Sequence, residues 1–487
     1  MNTILGELGK SNKFVELIKN IEEKQSPIGI SGLSNVGMLE IVASINEYAK
    51  KPVAIITYNE IQAKWIIENL QFFTDKAIYF PKKDIVTYDY VAESKDLPYA
   101  RIEALNKLNS KRNYIFVTTI EAAMQKLPAK ELLYKNILKF KVGEVHSLDK
   151  IKQNLVNLGY TRCDLIEGRG QFSVRGGIVD ISINENLGVR IEFWGDEIDS
   201  IRNFNIVSQR SINALEKVEI EPAHEYILEK PIEEICKKVR KTIANDLQED
   251  IIEQDIEQIK AGNYISKIDK YFDCFYDKQQ TVIDYLNKNS IITFDEIRKI
   301  EQRAQNVIKD NDNLIKNLIE KGKVVPQAIS NIQPFSRIEE LVEESKKVTL
   351  YIEKQDNKVD RQAQNYNFSY RAINYFKSEI ETLFTDIRKA HEQGKNIYVV
   401  VATKEKAKKL KEILEKENII CKIEEKLDKT IIVKSQEKII TIAIGKLTEG
   451  FENYDINQVV IAADELIEGG KKKKTFAHQA YKEGEKV

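Results

Sequence analysis

The segment that most limits what this chain can fold into is Pro27–Val36, PIGISGLSNV. A short apolar run enters a glycine-spaced turn, and the turn leads into an apolar helical run, Met38–Ile45. Strand, glycine turn and helix in that order form the phosphate-binding unit of parallel α/β folds, where backbone N–H groups at the helix start face the ligand. A working loop reads G-x-x-x-x-G-K-[ST]; its Lys reaches the β/γ-phosphates and its last hydroxyl holds Mg²⁺. Counted from Gly29, the final three motif positions are Ser34, Asn35 and Val36; counted from Gly32, they are Gly37, Met38 and Leu39. Neither register has the Lys or places a hydroxyl after it. Two readings stay open. Gly29, Gly32, Ser34, Asn35 and Val36 are a decayed nucleotide site, predicted inactive, or they are a tight strand-to-helix junction that glycine makes sterically possible.

A chain of 487 residues should hold about three domains. Lys and Arg (75) balance Asp and Glu (76), so bulk charge argues neither for nor against nucleic acid. Cys163, Cys236, Cys274 and Cys421 show no C-x-x-C spacing, so metal and disulfide frameworks both fail and a reducing cytoplasm fits. With four scattered histidines, a His-based catalytic group and a metal site are not expected. No apolar run is long enough for a transmembrane helix, and the acidic, helix-periodic start is not a signal peptide.

Lys51–Thr57, Lys76–Phe80 and Tyr114–Thr118 read as buried strands alternating with helices, which predicts a parallel sheet covered on both faces. Near 128 the character changes to a sheet-rich α+β module. A helix over Leu148–Leu158 precedes strands at Phe172–Arg175, Ile178–Ser182 and Val189–Trp194, and Gly176-Gly177 marks a tight hairpin. The region from about Lys230 is helical, except for a buried strand running into Asp295 and Glu296. The last region is again α/β, with strands at Ile397–Ala402, Ile439–Ile444 and Gln458–Ala463 and a charged helix over Lys404–Lys416.

Asp295-Glu296 ends its strand as a Walker B pair does, where such acids hold Mg²⁺; the alternative is a solvated strand end or acids at a helix start. Period-two alternation places Arg190 and Trp194 on one face, with Phe193 opposite, and Arg175 sits beside the glycine hairpin. Exposed Arg and Trp make interface hot spots. Alternatively, Trp194 is a core residue and the arginine pairs with Asp196, Glu197 or Asp199. Lys471–Lys474 is either a phosphate-contacting patch or a solvated connector.

Five stretches together resemble the N-terminal region of the bacterial transcription-repair coupling factors (the Mfd family) and, more loosely, UvrB. They are GISGLSNVGMLEI (29–41), YFPKKDIVTYD (79–89), GQFSVRGGIVDIS (170–182), VRIEFWGDEIDSIRNFNIVSQRS (189–211) and VEIEPAHEY (218–226), with a further similarity at LTEGFENYDINQVVIAADEL (447–466). The resemblance implies a multi-domain α/β fold: a degenerate UvrB-like, RecA-like parallel-sheet core with an inserted α+β module and a C-terminal α/β domain. It divides the chain into a first UvrB-like part (1–127), a UvrA-binding insert (128–222), a mostly helical second UvrB-like part (223–335), an additional α/β domain (347–468) and a basic linker (469–487). It further implies that Arg175, Arg190 and Trp194 bind UvrA, the aromatic position being Phe in some relatives. The expected function is recruitment of UvrA to stalled RNA polymerase in nucleotide excision repair. This chain would have no catalytic residue and no cofactor. ATP, Mg²⁺, DNA translocation and contact with RNA polymerase and DNA would lie in further domains of the full-length protein, with no membrane partner. The alternative is a UvrB-type, nucleotide-dependent DNA-damage-binding protein. On these grounds Arg190→Ala should weaken UvrA capture and leave the melting temperature nearly unchanged.

Overall fold

The computed structural model describes residues 3–83, 96–243, 249–262, 265–320, 332–354, 364–374, 380–424 and 439–467. Lys471–Lys474 and the rest of the basic tail lie outside them.

Seven parallel strands form the first sheet, in the order Gln364–Asn367, Ile28–Ser31, Thr349–Ile352, Ile291–Asp295, Val53–Thr57, Ile115–Thr119, Ala77–Phe80. Val53–Thr57 and Ile115–Thr119 are buried at every position, because helices cover both faces of a parallel sheet. The helices start where side chains satisfy their free N–H groups. Ser34 Oγ accepts from Gly37 N at 3.0 Å to open Asn35–Ala49, and Asn59 Oδ1 accepts from Gln62 N at 2.8 Å to open Glu60–Phe73.

Sheet order corrects one boundary. The sequence places the start of the additional α/β domain at 347, yet Thr349–Ile352 lies inside the first sheet, between Ile28–Ser31 and Ile291–Asp295. Gln364–Asn367 extends the same sheet on the other side of Ile28–Ser31. A four-residue strand whose partners lie far away in the chain leaves no periodic signal of its own. The second α/β unit therefore begins at Tyr370. Its mixed sheet runs Tyr370–Ile373, Gly450–Asn453, Gln458–Ala462, Asn396–Val401, Ile440–Ile444, Cys421–Glu424. The first two pairings are antiparallel and the remainder parallel.

The inserted module is a six-stranded sheet ordered Ser211–Leu215, Glu197–Asn205, Leu187–Trp194, Ile178–Ser182, Gln171–Arg175, Thr161–Arg162. The hairpin between Gln171–Arg175 and Ile178–Ser182 turns at Gly176, whose φ of +58° suits glycine. Phe172, Val179, Ile181, Val189, Ile191, Ile198 and Ile201 face inward with Ile151 and Leu155 of the Leu148–Asn157 helix. This core continues into the first unit. At the junction, buried Arg101 holds both carboxylate oxygens of buried Glu225 at 3.0 and 2.9 Å and donates to Pro81 O at 2.7 Å. Among the described residues, no helix is long and apolar enough to cross a membrane.

Candidate partner-binding site

The outward face of the inserted sheet is organised by Asp180. Cross-strand register sets Ser173, Asp180, Arg190 and Arg202 in one row, and residues directly opposite share a face. Asp180 is only 1% exposed. Arg190 clamps it with Nε donating to Oδ1 at 2.7 Å and Nη2 to Oδ2 at 2.9 Å. Arg175 Nη2 adds a bond to Oδ2 at 2.9 Å. The Arg190 guanidinium also lies over the Phe204 ring, 4.8 Å from its centroid. The Asp180 hydrogen bonds raise the Arg190 pKa above its ordinary value. Arg175, with a side chain 51% exposed, reaches solvent; Arg190, at 18%, serves the sheet as much as the surface.

Trp194 ends its strand at 85% exposure, while Phe193 packs against the core as alternation predicts. The reading of Trp194 as a core residue is thus set aside, and Arg190 pairs with Asp180 rather than with Asp196, Glu197 or Asp199. Exposed Val145 bridges Glu197, which in turn pairs with Trp194, so Val145 and Trp194 lie on the same face. Nothing local in the sequence marks Val145, because the bridge joins segments about fifty residues apart.

The glycine loop has the predicted strand–turn–helix shape, with neighbouring backbone close against its turn. Gly29 is in the strand itself, Gly32 turns with a φ of +73°, and Ser34, Asn35 and Val36 begin the helix. A Cβ built on Gly32 would overlap the Phe368 carbonyl oxygen and Asn367 Oδ1. With no Lys and with this backbone pressed on the turn, the residues present do not fit a triphosphate. Asp295 is fully buried two strands away, beyond Thr349–Ile352. It accepts from Thr57 Oγ1 at 2.9 Å and Gln62 Nε2 at 3.3 Å and pairs with Lys354 Nζ at 3.1 Å. Glu296 accepts from Lys354 N at 3.1 Å and pairs with Lys299 at 3.2 Å. The structure therefore brings Arg175, Arg190 and Trp194 together on one face, and commits Asp295 and Glu296 to lysines of the chain. Among the described residues, no group of three or more His, Cys, Asp or Glu is placed to hold a metal ion.

A multi-domain α/β scaffold with a UvrB-like build thus presents an arginine- and tryptophan-bearing sheet, and residues 138–226 match the UvrB interaction domain family. Over 97% of its length the chain is 27% identical to the transcription-repair-coupling factor of Bacillus subtilis (strain 168). Over its whole length it is 27% identical to the factor of the same name from Staphylococcus aureus (strain bovine RF122 / ET3-1). The resemblance drawn from the sequence motifs is to these same proteins. The chain spans 41% and 42% of the lengths of these two relatives.

Proposed function

We propose that this chain is the repair-recruiting region of a transcription-repair coupling factor. Its UvrB interaction domain docks UvrA through Arg175, Arg190 and Trp194, and its own glycine loop neither binds nor hydrolyses a nucleotide. ATP- and Mg²⁺-driven DNA translocation, and contact with RNA polymerase and DNA, are assigned to the remainder of a full-length factor.

One observation carries the docking reading: a tryptophan 85% exposed on the domain of matching family, beside a half-exposed arginine anchored to a buried carboxylate. Large aromatic area and a pre-oriented guanidinium are what interface anchors require. A titration of the whole chain against UvrA tests it. Trp194→Ala should leave melting unchanged, because the ring buries almost nothing in the free protein, and should weaken binding by at least ~2 kcal/mol, about thirtyfold. Unaltered affinity would remove Trp194 from the interface.

A further inference from the structure

The place where a nucleotide would meet the Asn35–Ala49 helix is taken by the chain itself. We infer that the second α/β unit is a fixed plug: its segment Leu447–Phe451 delivers Glu449 to the helix N-terminus as a built-in anion and joins both units into one body that no nucleotide can part.

Val36 N donates to Glu449 Oε1 at 3.3 Å, so a carboxylate sits where the helix start favours negative charge. The neighbouring residue is held just as specifically. Thr448 N donates to Asn69 Oδ1 at 2.9 Å, and Trp65 Nε1 donates to Thr448 Oγ1 at 2.9 Å. Over the first helical turn, a Cβ on Gly37 would strike the Tyr370 ring, and the Tyr370 hydroxyl donates to Glu40 Oε2 at 2.6 Å. Lys13 pairs with Asp455 at 3.0 Å, and Asn396 Nδ2 donates to Glu7 Oε2 at 3.1 Å.

Beneath these polar contacts the joint has an apolar core. Tyr398, Val400, Ala443, Leu447, Phe451 and Val460 of the second unit share one core with Ile41, Ile45 and Leu70 of the first. Interfaces that move between domains are small and polar; one that continues a hydrophobic core is not built to open. Loss of the Lys accounts for lost affinity, but only the plug accounts for a closed site. In a nucleotide-gated pair of α/β units the cleft opens and shuts around the ligand. Here Glu449 substitutes for the ligand's charge, and the closed arrangement is permanent.

The test uses the whole chain with Trp194→Phe, which leaves Trp65 as the single tryptophan of the two present. Glu449→Ala should speed hydrogen exchange at Val36 by about tenfold, as expected for one charged hydrogen bond lost from a locally opening joint. It should also shift Trp65 emission to the red. Glu449→Gln, which keeps an acceptor without the charge, should give a smaller change of the same sign. Exchange across 171–205 should not move, which separates local release from general unfolding. Mg-ATP at millimolar concentration should leave the melting temperature of the unmutated chain where it is. A saturable rise with Mg-ATP, or unchanged exchange at Val36 in both Glu449 variants, would overturn the inference.

Discussion

Replacing Arg190 with Ala separates two jobs that the sequence alone merges. Sequence reasoning treats Arg190 as a surface residue whose loss costs binding and leaves melting unchanged. The structure requires a different outcome. Asp180 is buried and accepts from two arginines; of the bonds at 2.7, 2.9 and 2.9 Å, Arg190 makes the first two and Arg175 the last. Removing Arg190 also uncovers Phe204. Breaking a buried pair outright costs about 3–5 kcal/mol. Arg175 remains as a partial partner, so a loss of roughly 2–3 kcal/mol is expected. Arg175→Ala removes a single bond from a half-exposed side chain and should cost no more than ~1 kcal/mol. Urea unfolding at constant m-value measures both losses, and UvrA titration of the folded protein measures affinity. The docking reading expects Arg175→Ala to weaken UvrA binding with little loss of stability. If Arg175→Ala binds normally, and Arg190→Ala loses binding only in proportion to its unfolding, then the arginines are sheet supports and not contacts. If Arg190→Ala unfolds with the parent, the Asp180 hub has no mechanical role and the argument from burial fails.

Two further outcomes concern buried charges elsewhere. Burial raises Glu40 from an ordinary 4.5 to about 8, in a joint where it faces Tyr370, Asn453, Gln458 and, at longer range, Glu7. A carboxyl raised in this way stabilises the fold fully below its unfolded value and loses that contribution as pH rises through about 8. Stability should therefore fall between pH 5 and 8 at roughly 1 kcal/mol per pH unit from this group, and Glu40→Gln should remove that slope; parallel slopes would refute it. Lys354→Met should cost roughly 3 kcal/mol by stranding buried Asp295, and Asp295→Asn in the same chain should recover most of it; additive losses in a double-mutant cycle would show the pair uncoupled.

Elements whose signal is local were legible in the sequence. Val53–Thr57 and Ile115–Thr119 stand out as unbroken apolar runs. Lys404–Lys416 has the predicted limits because Thr403 Oγ1 caps it, accepting from Lys406 N at 3.2 Å. The Gly176 hairpin follows from turn chemistry, and period two sets Trp194 on the face of Arg190, but which way that face points is given only by the structure. What stayed hidden depends on distant pairing. Gln364–Asn367 is a polar run that becomes a strand only beside Ile28–Ser31. Asp180 is an unremarked position within the Ile178–Ser182 run, and nothing local shows that two arginines from different strands converge on it. Glu449 meets Val36 across 413 residues, so no window along the chain could join them.

The glycine turn and the Asp295-Glu296 strand end share an electrostatic logic. At a working site of this build, a helix N-terminus faces phosphate and a strand-end carboxylate faces Mg²⁺. Without a ligand, both protein groups would be left uncompensated: one as unpaired N–H donors, the other as a buried anion, each costing several kcal/mol. Here the chain supplies each missing charge with the correct sign. An anion, Glu449, stands at the helix start, and a cation, Lys354, stands at Asp295. Neither replacement restores chemistry, since neither offers a leaving group or a coordination site. Both restore stability. The sheet is therefore stable without a bound ligand, and through Arg101 and Glu225 it forms a firm base for the domain that bears Trp194. On this argument, substituting Gly-Lys-Ser for Ser34-Asn35-Val36, which completes the motif counted from Gly29, would not revive nucleotide binding while Glu449 and Tyr370 stay in place. Mg-ATP should leave the melting temperature of that variant unmoved, and a saturable rise would mean that the plug yields to a nucleotide.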